Sequence, residues 1–310
     1  KFLRKNMNKQ INILPVGKYI NKCGEEGIRY LWSIDGKNDY YIESGTFPRR
    51  TKLGKGTIDE QIAAYTTSVS LGCILSLRDN QCKFCVTGNN IPFYRLLTAE
   101  EIAIQNVFMV IDDSKTNSGK FSREFAYMGQ GEPGFSYDQV KKAIIITDKI
   151  MQYLGIKTYR HIFATSGVPR AITRLTEDLS SSSYGKTKIL LHLSVNAFKS
   201  RDKLMPINKM YPIKEVITAS EKYSRLTGER VVINLIMLKK AILRKCGPFT
   251  TTSLEEHKKL KDILNPKYHR ILLCEYNYDL NIGKNGHINP KDIEILAPAF
   301  KNRGFVVKNF

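Results

Sequence analysis

Three cysteines crowd together in the pattern Cys73-x8-Cys82-x2-Cys85. Thiolates are ligands for soft metals, and a Cys-x2-Cys pair in a chain without a disulfide framework points to a metal site. Two metals suit the pattern. Structural zinc takes four ligands, so a fourth must come from Cys246, Cys274 or one of the five histidines. A four-iron, four-sulfur cluster has four corners, and three thiolates leave one iron open, as a catalytic site requires. The spacing favours iron–sulfur and leaves zinc open.

Other polar residues stand just after strand signals. Met128-Gly-Gln-Gly-Glu-Pro133 places two glycines and the carboxylate of Glu132 at a strand end, where a ligand can approach the backbone. A plain Gly- and Pro-rich turn accounts for the same residues. Ala164-Thr-Ser-Gly-Val-Pro169 offers hydroxyls before a helix start, as a ligand site or as an ordinary cap. Ser194-Val-Asn196 and Glu275-Tyr-Asn277 end two further strands, where Ser and Asn also serve to satisfy backbone groups.

The elements that position these groups alternate. Strand patterns are expected at residues 67–72, 125–128, 159–164, 189–194, 231–238, 271–274 and 305–307. Helices are expected between them: residues 98–110, headed by the capping box Thr98-Ala-Glu-Glu101, then 136–153, headed by Ser136-Tyr-Asp-Gln139. Further helices are expected over residues 169–175 and 213–223, after Ser253-Leu-Glu-Glu256, and from Asn289-Pro290. Such β-then-α units predict a parallel sheet with right-handed crossovers and chemistry at the C-terminal strand ends. Ahead of them, Tyr30-Leu-Trp-Ser-Ile-Asp-Gly36 and Tyr40-Tyr-Ile-Glu43 read as two strands about an Asp-Gly turn, followed by a basic loop over residues 47–56. Residues 1–60 are therefore taken as an N-terminal extension and 61–310 as the core.

The composition bounds the setting. With 310 residues, 42% hydrophobic and 25% charged, the chain is long enough for one large α/β domain. No apolar run approaches the length of a membrane span, and the basic residues 1–10 lack the apolar core of a secretory signal. A cytoplasmic protein without a membrane partner is expected. The formal charge of +20 suits a polyanionic partner, nucleic acid first, although lysine-rich codon usage gives the same count.

Taken in order, Gly72-Cys73, Cys82-Lys-Phe-Cys85, the Gly-Gln-Gly-Glu-Pro turn, Thr165-Ser-Gly-Val-Pro169 and Met205-Pro-Ile-Asn208 resemble the radical S-adenosylmethionine RNA adenosine methyltransferases, the RlmN/Cfr family. The resemblance runs from about Trp32 to about Val307. It implies a partial (β/α)6 barrel, with a [4Fe-4S] cluster on Cys73, Cys82 and Cys85. It further implies that Gly131 and Glu132, with Ser166, Ser194, Asn196 and Asn277, contact S-adenosylmethionine. Asn196 falls where the family carries His. A one-electron reductant, flavodoxin- or ferredoxin-like, is implied as partner.

Two departures shape the functional expectation. Five extra residues lie between the first two cluster cysteines, with Arg78 and Asp79 among the inserted stretch. The resolving cysteine of the family's methyl transfer falls at Thr66, and the sequence ends at Phe310 ahead of the tail cysteine that carries the methyl group. A hydroxyl is far less nucleophilic than a thiol near neutral pH. The expectation is a radical S-adenosylmethionine enzyme acting on a peptide, metabolite or nucleotide by another route than the family's two-cysteine one. The alternatives are an RNA-modifying enzyme and a non-catalytic RNA- or ribosome-associated protein that keeps the fold.

Overall fold

The computed structural model describes residues 13–21, 27–47, 50–51, 61–116, 121–243, 247–274, 276 and 290–309. It is a mixed α/β structure whose sheet is mostly parallel in the core. The chain divides into two compact units. One comprises Lys1–Gly72, Phe93–Phe163 and Lys186–Ile189; the other comprises Cys73–Pro92, Ala164–Gly185 and Leu190–Phe310.

In the first unit the strands are β1 (Ile13–Asn21), β2 (Gly27–Ile34), β3 (Lys37–Thr46), β4 (Arg50–Thr51), β5 (Gln61–Thr66), β6 (Ser70–Leu71), β7 (Arg95–Leu96), β8 (Ser122–Tyr127) and most of β9 (Thr158–Thr165). The first three form an antiparallel meander. Asp35 and Gly36 both have positive φ (53° and 64°), the backbone that a two-residue hairpin turn matched to strand twist demands. The expected Asp-Gly hairpin is thus present. Strand β1, interrupted in sequence by Pro15 and Gly17, adds a third member beside it. Strands β5, β8 and β9 run parallel, and β3 joins β5 antiparallel.

The first parallel strand is residues 61–66, not 67–72 as the β-rich composition suggested. After Thr66 the chain leaves the ladder. Thr67 N–H still donates to Ala126 O (2.9 Å), but Val69 N–H and Ser70 N–H both turn to Gln130 O (2.9 and 3.3 Å). Ser68 Oγ meanwhile accepts from Gln130 N–H (2.9 Å). Serine and threonine side chains compete with the ladder for backbone partners, so this run forms a loop edge.

Helix Ala99–Thr116 begins as its capping box predicts: Thr98 Oγ1 accepts from Glu101 N–H (3.3 Å) and Glu101 Oε2 from Thr98 N–H (2.9 Å). The box at Ser136 does not form, although helix Tyr137–Tyr153 does. Ser136 makes no cap bond, and Gln139 Oε1 instead accepts from Ala99 N–H (3.0 Å). The chain enters that helix through a 3-10 turn, Pro133–Ser136, which Glu132 caps, so the capping role passes upstream. Strand alternation separates two kinds of interior. One face stacks Tyr65, Phe125 and His161, with His161 fully buried between Tyr127 Oη and Asp148 (2.9 Å each). The other pairs Glu124 with Arg160 at 2.5 Å across adjacent strands.

The second unit holds β10 (Ile189–Ser194), β11 (Val231–Ile236), a small hairpin of β12 (Ala241–Leu243) and β13 (Gly247–Phe249), then β14 (His269–Cys274) and β15 (Val307–Asn309). Strands β10, β11, β14 and β15 pair in that order, all parallel. Successive side chains point to opposite faces. Leu191, Leu193, Val231, Ile233, Leu235, Ile271 and Leu273 are all at most 1% exposed. The opposite face carries, in register, His192–Val232–Arg270, then Ser194–Asn234–Leu272, then Ile236–Cys274. It is largely half-buried and rich in polar groups. One face of these strands is thus an unbroken apolar packing surface, and the other a mixture of polar and apolar groups.

His269 sits wholly buried at the start of β14, with Nε2 at 3.0 Å from Ser220 Oγ and Nδ1 accepting from Asn265 N–H (3.1 Å). Burial pulls its pKa down from the usual value near 6.5 to about 4. The native state therefore holds it neutral, while the unfolded chain takes up a proton first as pH falls. Stability is expected to drop by about 3 kcal/mol between pH 6.5 and pH 4 from this group and to level off below. Urea midpoints across that window test this. In His269→Gln the slope should shrink, and an unchanged slope would assign the pH dependence elsewhere.

Of the sequence expectations, the cap at Asn289 and most of the loop at residues 47–56 lie outside the described residues.

Candidate functional site

The three cysteines occupy one segment of the second unit. Cys73 precedes a 3-10 turn, Ile74–Arg78, and its carbonyl accepts from Ser76 N–H (2.9 Å) and Ser76 Oγ (2.8 Å). The long spacing to Cys82 is thereby closed into a compact turn. Asp79 takes the left-handed conformation (φ 52°) and receives the Nζ of Lys83 at 3.0 Å and the Nε2 of Gln81 at 3.0 Å. Lys83 is buried, whereas Leu77 and Arg78 point to solvent. Asp79 is thus an anchor of the inserted turn.

The Cys82–Cys85 turn is held by a residue that sequence reasoning passed over. Asn89 Nδ2 donates to the carbonyls of Cys82 (3.1 Å), Lys83 (3.0 Å) and Cys85 (2.7 Å). Cys85 heads the short helix Val86–Asn90, with its Sγ accepting from Gly88 N–H at 3.5 Å. Burial pushes the Cys85 thiol up, and that N–H opposes the shift. Gly88 is required by contact: a Cβ there would lie 2.9 Å from Gln81 Cβ. Among the described residues Cys73, Cys82, Cys85 and Cys274 form no disulfide, and no group of three or more His, Cys, Asp or Glu stands as a metal-ion site. An iron–sulfur cluster takes each thiolate on a separate iron. Three cysteines outside any disulfide on one braced segment, one of them receiving a peptide N–H, have the donor chemistry of an iron–sulfur ligand set.

The strand ends of the same unit are gathered by Arg201, a second residue without a local sequence signal. It is 1% exposed. Its Nη2 donates to Ser166 O (2.8 Å), and its Nη1 to Ser194 O (3.0 Å) and Val195 O. Its Nε donates to Asn208 Oδ1 (3.0 Å). Of the predicted ligand residues, Ser166 and Ser194 are therefore linked through their carbonyls by one guanidinium. Asn196 lies beside them with φ 62°, but its amide is committed: Oδ1 accepts from Ile236 N–H (2.9 Å) and Nδ2 faces Met205 Sδ (3.2 Å). Asn277 lies outside the described residues.

Gly131 and Glu132 belong to the first unit. There the glycines make room for the neighbouring chain. A Cβ on Gly129 would lie 2.7 Å from Ser68 Oγ and 2.8 Å from Ser68 N; one on Gly131 would lie 2.2 Å from Ser70 Oγ. Gln130 completes the clamp, its Oε1 accepting from Gly72 N–H (3.2 Å) just before Cys73 in the chain. Glu132 is 5% exposed, and its Oε1 accepts from Gly134 N–H (2.8 Å). The turn is thus held first by residues 67–72.

A mostly parallel α/β sheet of this kind is the fold of a solved radical SAM methyltransferase from Sphaerobacter thermophilus, matched with a TM-score of 0.75 over 100% of this chain and 81% of that one at 21% identity. In sequence the chain resembles the RlmN RNA methyltransferases. It is 35% identical over 181 residues to a probable dual-specificity RNA methyltransferase RlmN of Pseudothermotoga lettingae, covering 58% of this chain and 48% of the relative. To a protein of the same name from Moorella thermoacetica it is 32% identical over 173 residues, 55% and 45% of the two chains. The chain thus spans about half the length of these curated relatives. No protein-family model matches it. No helix among the described residues is long and apolar enough to cross a membrane.

Proposed function

We propose that the chain is a radical S-adenosylmethionine enzyme that modifies RNA. The observation that carries this reading is the braced segment with three cysteines outside any disulfide, in a fold and sequence that resemble radical SAM methyltransferases. Cys73, Cys82 and Cys85 would hold a [4Fe-4S] cluster, with Asn89 fixing the turn between the last two. Gly131, Glu132, Ser166, Ser194 and Asn277 are the residues proposed to contact S-adenosylmethionine, and Asn196 to shape the strand end beside them. When bound and reduced, the cluster supplies the electron that splits S-adenosylmethionine into methionine and a 5′-deoxyadenosyl radical able to abstract hydrogen.

The chain's own contribution is binding and orientation. The peptide N–H of Gly88 favours negative charge on the Cys85 sulfur. Arg201 fixes the ends of two strands relative to each other, and the half-buried polar face of β10, β11 and β14 offers hydrogen-bonding groups on a rigid sheet. RNA is favoured over a peptide or metabolite by the +20 charge and by the names of the relatives. Residue 66, where the family has its resolving cysteine, is a buried threonine at the end of β5. We infer that the family's two-cysteine methyl transfer is not followed at that position. An electron donor of flavodoxin or ferredoxin type is proposed as partner.

The test is anaerobic. The chain is reconstituted with iron and sulfide, reduced with dithionite and given S-adenosylmethionine, and 5′-deoxyadenosine is measured by mass spectrometry. The wild type should form it, and Cys82→Ala should form at least about 100-fold less, since catalysis lost with its cofactor falls to background. A zinc-loaded protein, or a cluster that never cleaves S-adenosylmethionine with RNA present, would overturn the reading in favour of a binding protein. Ribosomal RNA fragments should bind with an affinity that falls steeply with salt.

A further inference from the structure

Arg201 is a buried cation whose hydrogen bonds among the described residues go to uncharged acceptors, with Asp202 as the neighbouring carboxylate charge. Its neighbours are carbonyl oxygens of Ser166, Ser194 and Val195, the Asn208 amide oxygen and the Met205 sulfur (3.0 Å). Removing a guanidinium from water is strongly unfavourable, and neutral acceptors offset only part of it. The four-residue helix Arg201–Leu204 is also tied to the cysteine segment, because Lys83 N–H donates to Leu204 O at 2.9 Å. Burial lowers the Arg201 pKa to about 10, and negative charge at Cys82 and at Asp202 works against that shift; the side chain stays charged at neutral pH.

We propose that Arg201 is a positioning residue that holds the strand ends in register and raises the reduction potential of the cluster carried by Cys73, Cys82 and Cys85. The proposal rests on the cluster assignment made above. The reasoning is electrostatic. Taking up one electron adds one negative charge to the cluster, and a fixed cation in a low-dielectric surround stabilises that charge. Arginine suits the position because its planar fork reaches several carbonyls at once and stays charged when buried.

The experiment is a redox titration of the reconstituted full chain without S-adenosylmethionine, using dithionite as reductant and following the reduced cluster by electron paramagnetic resonance. Three variants are compared. Arg201→Gln removes the charge. Arg201→Lys keeps it while losing most of the carbonyl contacts. Asn208→Asp keeps Arg201 and sets a carboxylate against its Nε. Arg201→Gln and Asn208→Asp should lower the potential, each by at least tenfold in the oxidised-to-reduced ratio, about 59 mV for one electron. Arg201→Lys should stay close to the wild type. Wild-type potentials in both Arg201→Gln and Asn208→Asp would overturn the proposal and leave the cluster assignment standing. Should Arg201→Gln hold no cluster, Asn208→Asp alone decides. A wild type that forms no cluster would instead sink the proposed function.

Discussion

Replacing Gly131 with alanine is expected to destabilise the protein by about 3 kcal/mol or more. Two independent costs combine there. Its φ of +101° lies outside the regions open to L-residues, which costs on the order of 1–3 kcal/mol. The new Cβ would stand 2.2 Å from Ser70 Oγ and 2.8 Å from Val69 Cγ2, so packed neighbours must move, at a cost of about 1–3 kcal/mol. Gly155→Ala is the matched control. Its φ of +67° carries a backbone cost, but nothing lies within 4 Å of the added carbon, so about 1 kcal/mol is expected. Denaturant midpoints for the two variants separate the contributions. Adding Ser70→Gly to Gly131→Ala should recover part of the loss. Equal effects at positions 131 and 155 would mean that the turn is not clamped by residues 67–72.

Glu101→Ala is expected to cost about 3 kcal/mol. Glu101 is fully buried and holds Arg95 with both carboxylate oxygens, Oε2 at 2.7 Å from Nη1 and Oε1 at 2.8 Å from Nη2. Its Oε2 also accepts from Thr98 N–H, so one side chain completes the capping box and pairs a guanidinium. Removing one member of a buried pair strands the other, which costs about 3–5 kcal/mol. The lower end applies here, because Arg95 is 26% exposed and keeps Asp35 at 2.9 Å. A double-mutant cycle with Arg95→Leu measures the coupling. If Glu101→Ala loses less than about 1 kcal/mol, water or Asp35 replaces the carboxylate without penalty.

Local chemistry was the legible part of this sequence. The Thr98 box forms because its four residues need nothing beyond themselves. The same pattern at Ser136 fails because Pro133 has already started a turn, and Glu132 answers the exposed N–H groups first. The strand before Cys73 lies a few residues upstream of where the β-rich composition points. Gln61-Ile-Ala-Ala-Tyr-Thr66 carries two small alanines and a weak strand signal, while the β-branched and hydroxyl residues after it serve a loop. Glycines 129 and 131 could be recognised as close-approach positions, but not what approaches. That partner lies some 60 residues earlier in the chain. Arg201 and Asn89 had no signal to read, since each acts through backbone carbonyls that only the folded chain assembles.

The second unit's sheet has a bearing on how such a protein can change over time. Fully packed residues and mostly half-buried ones alternate along β10, β11 and β14. Substitutions at Ser194, Asn234 or Leu272 alter one surface while Leu193, Ile233 and Leu273 go on burying the other. A lineage can therefore exchange what the half-exposed face recognises without reopening the question of whether the strands hold together. Variation in surface chemistry and persistence of architecture are, in this part of the molecule, assigned to even and odd positions of the same strands.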